Sequence, residues 1–255
     1  MKIWVYTIAF NEAHFVKNFL RAYKDAEKII VYDNMSTDHT ADLLKQDPRV
    51  EVRIHDSGGE IRDDLYLQIK NNCWKEARGK ADWVIICDFD EIFTRAIQPG
   101  IFDLFLGSDL ADIDIIKPNG YMIYEENMPL FKDHNPLTHN LKGIYDLNSE
   151  KLCCFRPDKV KEINYDPGCH SANPVGFNGG LSYHRDDPNY RLIHFKYINI
   201  THYFDRLAQY KLRMSQYNLS TGFGVHYTWS YETHRDIYMK GLLESKPLFQ
   251  IEKPK

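Results

Sequence analysis

Over its first ninety or so residues the chain alternates apolar runs with amphipathic stretches. That alternation leaves little room for anything but a parallel sheet covered by helices. "KIWVYTIA" (2–9), "KIIVYD" (28–33), "RVEVRIHD" (49–56) and "ADWVIICDFD" (81–90) read as four strands. Between the first two, "NEAHFVKNFLRAYKDA" reads as a helix with Phe15, Phe19 and Tyr23 on one face. "STDHTADLLKQD" reads as a short helix capped by Ser36 or Thr37. The longest helix is expected over about 60–79, where Ile61, Leu65, Ile69, Cys73 and Ala77 recur every four residues and Gly79 ends the run. Three β-α units and a fourth strand make a Rossmann-like half, and ligands of such sheets bind at the carboxyl ends of the strands.

Those ends are polar. Strand one runs into Asn11-Glu12 at a helix start, where free backbone N–H groups meet a polar cap. Strand two ends in "YDNMSTDHT", with Asp33, Asn34 and Ser36, and an Asp at a strand tip is a common reader of a ribose or a base edge. Strand four ends in Asp88, Asp90 and Glu91. If the chain turns there, Asp88 and Asp90 can meet one cation, and carboxylates that leave positions open to water and phosphate suit Mg²⁺ or Mn²⁺. Taken singly, each end also reads as an ordinary cap, turn or solvated strand end; their convergence on one crevice favours a ligand site.

After residue 118 the pattern changes. "NGYMIYEENMPLFKDHNPLTHN" (119–140) reads as loop-rich, "KLCCFRPDKV" and "YRLIHFKYINI" as strands, and "THYFDRLAQYKLRMSQY" as a helix. No repeat, low-complexity run or linker separates this part, which is expected to be a lobe of one domain. A chain of 255 residues can bury one large core. A net charge of −4 gives no polyanion footprint, so nucleic acid is excluded as a first partner. Five cysteines without a CxxC pair fit a reducing compartment better than a disulfide framework. The start "MKIWVYTIAFNEAHF" is too short a run for a signal peptide, and nothing reaches membrane-spanning length, so a cytoplasmic location is expected. The sequons at Asn34, Asn199 and Asn218 then carry little meaning.

"TIAFNE", "VYDNMSTDHT" and "WVIICDFDEIF" together resemble the opening strand, nucleotide-reading turn and DxD motif of GT-A fold glycosyltransferases. The likeness is to the family 2 and family 92-like group, whose members often carry a "DxDEF"-type signature. It covers residues 1–93 and, more faintly, the "LIHF" strand at 192–195. It implies a mostly parallel central sheet flanked by helices with a smaller C-terminal acceptor lobe, one domain over 1–255 with a nucleotide-sugar-binding half (1–118) and an acceptor-binding half (119–255). Carried over residue by residue, Thr7, Ala9, Asn11, Glu12, Asp33, Asn34 and Ser36 hold the nucleoside, and Asp88 and Asp90 bind the metal on the diphosphate. Arg62 could reach the phosphates, although an exposed Arg is the commoner state. Many members add a metal-binding His from a late strand, and both His194 and His170 qualify, with His194 closing the clearer strand. Imidazole among carboxylates favours Mn²⁺ over Mg²⁺.

The implied reaction moves a hexose or pentose from a nucleotide-sugar, with UDP the favoured nucleotide, to a glycan or other hydroxyl acceptor, in the inverting version with a carboxylate base. Candidate bases are Asp186, Asp187, Glu125 and Glu126, while Glu91 is expected to orient a metal ligand or to bind the donor sugar. Two rivals use the same letters. "DFDEI" resembles the nucleophile motif of haloacid-dehalogenase phosphatases, but there the motif ends the first strand. A carbohydrate-binding module would draw on the aromatic "VHYTWSYE".

Overall fold

The computed structural model describes residues 1–95, 110, 112–129, 140–251 and 253. The four expected strands are present as β1 (Ile3–Ala9), β2 (Lys28–Asp33), β3 (Val50–Ile54) and β4 (Trp83–Ile86). β1 lies between β2 and β4, parallel to both, with Ala9 level with Asp33 and Tyr6 level with Ile86. Both faces of β1 and β4 are buried, so side-chain alternation sorts their residues into two cores. Ile3, Val5, Ile29, Val31 and Ile85 face one layer with Phe15, Phe19 and Tyr23, whereas Trp4, Tyr6, Ile30, Val84 and Ile86 face Trp74 and Ala77 on the other.

The sheet continues beyond β4 through short strands from the second half, giving the order β12 (Tyr183–His184), β6 (Ile115–Ile116), β9 (Cys154–Phe155), β4, β1, β2, β3. Its β12–β6, β4–β1, β1–β2 and β2–β3 pairs are parallel and only β9 runs against its neighbours, so the mostly parallel central sheet flanked by helices is present. A second sheet, in the order β14 (Lys246–Pro247), β8 (Lys142–Tyr145), β7 (Asn119–Glu125), β13 (Tyr190–Ile198), β5 (Glu91–Arg95), shares the first core through Phe93, Tyr121, Leu192 and Ile193.

Several expectations are corrected. The first helix begins at Val16, as α1 (Val16–Ala22), because Asn11 adopts φ 55 and spends its side chain on the neighbouring loop. The short helix α2 is confined to Thr40–Leu44. The long helix is split into α3 (Asp63–Asn72) and a 3-10 turn over Cys73–Ala77, and the buried residue of α3 is Lys70 rather than Leu65 or Ile69. The stretch after 118 is not all loop, since Asn119–Glu125 form β7; residues 130–139 of it lie outside the described residues. Gly120 permits this strand, because a Cβ there would lie 2.4 Å from the Asp146 carbonyl and 2.5 Å from Ser149 C. "KLCCFRPDKV" yields β9 and β10 (Val160–Glu162), the latter paired with β11 (Val175–Gly176).

β13 leads through an Asn199 cap, whose side chain accepts from the His202 N–H, into α4 (Ile200–Arg213). The expected tail helix breaks after Arg213 and resumes as α5 (Gln216–Thr221), with α6 (Tyr231–Glu244) following. Two of the three sequon asparagines are sealed in the fold, Asn34 at 1% and Asn218 at 0% exposure. All five cysteines are buried free thiols. Among the described residues no helix is long and apolar enough to cross a membrane.

Candidate active site

β4 and β5 belong to different sheets, and Cys87–Asp90 is the joint between them. The Asp88 carbonyl accepts the Glu91 N–H at 3.0 Å and the Asp88 N–H donates to Glu91 Oε2 at 3.0 Å, so the chain turns here, as the acids require. Phe89, between the two aspartates, is buried and stacks on Phe19 at 4.3 Å, anchoring the turn in the core. β13 pairs antiparallel with β5, His194 opposite Glu91, and the Phe195 N–H donates to the Asp90 carbonyl at 2.8 Å. That pairing carries a residue over a hundred positions later to the acids.

The two aspartates have different company. Asp88 receives the Lys70 ammonium on Oδ1 and the Lys151 ammonium on Oδ2, the latter at 2.7 Å, and Lys151 also reaches Glu91 Oε1 at 2.6 Å. Burial pushes the Asp88 carboxyl up, but Lys151 and Lys70 outweigh it and hold the group well below the usual carboxylate range. Glu91 is completely buried, so in this arrangement it positions Asp88 and Lys151 without facing the cavity.

Asp90 instead meets His194 Nε2 at 3.3 Å and Arg206 at 3.0 Å. Burial raises its pKa, and the His194 and Arg206 charges reverse the shift. Arg206, from α4, also donates to Glu12 at 3.1 Å and to the Tyr210 hydroxyl at 2.8 Å. Burial pushes the Glu12 carboxyl up to about 8 against the pull of Arg206, and its Oε2 has no hydrogen-bond partner among the described residues.

A cavity of about 440 Å³ opens above this joint. Ala9, Glu12, Asp63, Tyr66, Asp88 and Asp90 form the wall contributed by the first half, and Lys151, His170, His194, Lys196, Arg206 and His226 lie on the wall from the second. The sequence-predicted residues therefore divide. Ala9, Glu12, Asp88, Asp90, His194 and His170 line the cavity, though His170 does so away from the acids, its Nδ1 donating to the Asn148 carbonyl at 2.6 Å.

Other predicted residues are occupied in the framework below. Asn34 donates to the Tyr66 hydroxyl at 2.7 Å and accepts from Ser57 at 2.9 Å. Asn11 and Ser36 tie the first two loops together at 3.0 Å. Thr7 is buried within β1, and buried Asp33 accepts from the Ser36 N–H while its Oδ1 stays without a partner among the described residues. Arg62 is held by Asp64 at 2.7 Å and stacks on Tyr217, outside the cavity wall. Asp187 pairs with His184 at 2.8 Å and Asp186, 70% exposed, with Lys253 at 2.7 Å, and neither lines the cavity. Glu125 and Glu126 are likewise absent from that wall; Glu125 accepts the Lys142 N–H at 2.7 Å.

Sequence reasoning missed Lys70, Lys151, Arg206, Lys196 and His226. Lys70 was the one readable signal, a charge set inside a helix stretch expected to pack on the sheet.

Whether these donors suit a divalent ion can be judged from their chemistry. Asp90 Oδ2 and His194 Nε2, 3.3 Å apart, have the separation of two ligands sharing one ion, and a carboxylate with an imidazole suits Mn²⁺. Asp88 has both oxygens on ammoniums, and among the described residues no group of three His, Cys, Asp or Glu is spaced as a metal site. The fit is a two-residue one: Asp90 and His194 would hold the ion once Arg206 left Asp90, and the remaining positions would be open to water and phosphate oxygens.

No protein-family model matches the chain, and no curated protein matches it. Partial likeness is found to solved structures of glucosyl-3-phosphoglycerate synthase from Mycobacterium tuberculosis. The complex with Mn²⁺, UDP and glucosyl-3-phosphoglycerate is 18% identical over 48% of this chain and 44% of that one, with a TM-score of 0.30. The complex with UDP is 20% identical over 49% and 44%, with a TM-score of 0.30. The chain thus matches less than half the length of that enzyme, and a likeness this slight carries neither reaction nor substrate across.

Proposed function

We propose that the chain is a metal-dependent glycosyltransferase that moves a hexose or pentose from a nucleotide-sugar, UDP-linked, to a hydroxyl of a glycan or other acceptor, in one domain whose first half binds the donor and whose second half binds the acceptor. One observation carries this reading. The DFDE segment is a turn that joins two sheets at the carboxyl ends of parallel strands, and antiparallel pairing brings His194 against Asp90 at the mouth of a cavity. Metal-bearing crevices at that place in an open α/β sheet are where a nucleotide diphosphate is expected.

In this reading Asp90 and His194 hold Mn²⁺ or Mg²⁺, which supplies a Lewis acid for the charge that grows on the leaving diphosphate. Arg206, still paired with Glu12, would supply a second positive charge to the leaving group. Lys70 and Lys151 fix Asp88, so the turn cannot relax when the ion binds. Ala9 and Glu12 meet the donor at the end of β1, with Asp33 behind them. The proton of the acceptor goes to a carboxylate of the cavity wall, Glu12 or Asp63, because Asp186, Asp187, Glu125 and Glu126 do not line it. Inversion would show as opposite anomeric configurations in donor and product.

A thermal-shift panel of UDP, GDP, CMP and dTDP with and without Mn²⁺ tests the donor assignment. The stabilisation is RT ln(1 + [L]/Kd), so UDP should raise Tm most and only with metal present. Equal shifts with EDTA would remove the metal from the reading. A phosphatase would instead form an acid-stable phosphoaspartate at Asp88, and a carbohydrate-binding module would bind glycans without metal.

A further inference from the structure

Five cationic side chains line the cavity, and three of them are matched by carboxylates. Lys70 and Lys151 sit on Asp88, and Arg206 on Asp90 and Glu12. Arg213 donates to the Gly59 carbonyl and lies over the Phe10 ring, whereas half-buried Lys196 has neither a carboxylate within ion-pair distance of its ammonium nor a backbone acceptor given to it among the described residues. Its Nζ is 3.5 Å from His226 Nε2 and 5.5 and 5.2 Å from the ring centroids of Tyr197 and Tyr227. Both Lys196 and His226 line the cavity.

Even partial removal of an ammonium from water without a counter-charge is costly, and two aromatic faces recover only part of that cost. His226 Nε2, at the outer limit of hydrogen-bond distance, can accept from the ammonium in one tautomer and does not neutralise it. A neutral sugar hydroxyl offers no compensating charge, whereas a phosphate or carboxylate does, through charge-assisted hydrogen bonds. The elements that carry the pair, β13 and the 3-10 turn Val225–Thr228, both come from the second half of the chain. The tips of β1 and β2, where a nucleotide is expected, contribute nothing to it.

We infer that Lys196 and His226 form a seat for an anionic group, phosphate or carboxylate, borne by the acceptor and separate from the nucleotide's phosphates. The words "acceptor" and "nucleotide" rest on the function proposed above; the seat itself does not.

Calorimetric titration of the full chain with inorganic phosphate, and separately with acetate, tests this with and without saturating UDP and Mn²⁺. Saturable one-to-one binding of one of the two anions is expected, and the tighter one identifies the group. Lys196→Met should weaken it at least tenfold and His226→Gln several-fold, while Lys196→Arg retains it, with circular dichroism confirming that each variant is folded. UDP with Mn²⁺ should leave the anion affinity within about twofold. Failure of both anions to bind the parent chain, or equal binding by Lys196→Met, overturns the seat. Displacement of the anion by UDP overturns its separateness from the nucleotide. If UDP does not bind at all, the proposed function fails while Lys196-dependent anion binding still decides the seat.

Discussion

Asp88 and Asp90 are two residues apart on one turn, yet the protein treats them as different devices. Asp88 is wedged between two lysines whose only described carboxylate partners are Asp88 itself and Glu91. Asp90 is held by an imidazole and a guanidinium, groups that can turn aside and that have other partners in Glu91 and Glu12. In the proposed function the first arrangement would hold the turn and the second would exchange partners with a ligand. A shared DxD motif thus does not make its two acids equivalent, since what faces each carboxylate decides whether it can leave its partner.

The sharpest way to break this contrast is through activity. Asp90→Asn should lower Mn²⁺-dependent nucleotide-sugar turnover by a hundredfold or more and cost less urea-unfolding stability than Asp88→Asn, because Arg206 keeps Glu12. A variant that kept full turnover would show that Asp90 is not the exchangeable acid. Asp88→Asn should instead act on stability, costing on the order of 3 kcal/mol by urea unfolding as the buried Lys70 ammonium loses its partner and Lys151 keeps only Glu91. Unchanged stability in that variant would end the framework role of Asp88.

A smaller effect is expected at Gly120. Its bare Cα lets the Asp146–Glu150 backbone approach and so delivers Lys151 to the acids; Gly120→Ala should cost roughly 2 kcal/mol by overpacking.

The mildest test concerns pH. Burial, with His202 and Arg206 beside it, holds the His14 imidazole down to about 3, and burial likewise holds His202 down to about 4. The unfolded chain, with ordinary imidazoles near 6.5, therefore binds more protons than the folded one below that pH. The stability from these neutral histidines is complete above about 6.5 and is lost as the pH falls toward 4. His14→Gln should flatten that slope in urea melts at pH 7, 6, 5 and 4, and an unaltered slope would place the titration elsewhere.

The part of this site nearest the amino terminus was readable because it follows from period and position. β1 to β4 announce themselves as apolar runs, and their polar ends converge by the geometry of parallel strands. The part from the second half was less readable. β5 hides behind an acid-rich strand end, β7 looked like loop because its glycine serves a close backbone approach, and no periodicity marks a buried cation. Lys70, Lys151 and Arg206 reach their aspartates across 18, 63 and 116 positions of sequence, carried there by α3, by the segment leading into β9 beside β4, and by α4 after β13. His194 was found by resemblance; the charges opposite it were not.

The chain of Lys70, Asp88, Lys151 and Glu91 also limits how such a protein can change over generations. Each member neutralises its neighbours, so losing any one strands a buried charge, while losing an acid and its lysine together removes the conflict, which makes the effects strongly non-additive. Single substitutions along this chain are therefore blocked steps and paired ones are open. In related sequences these lysines and acids should come and go as a set, even where the other residues facing the cavity vary freely.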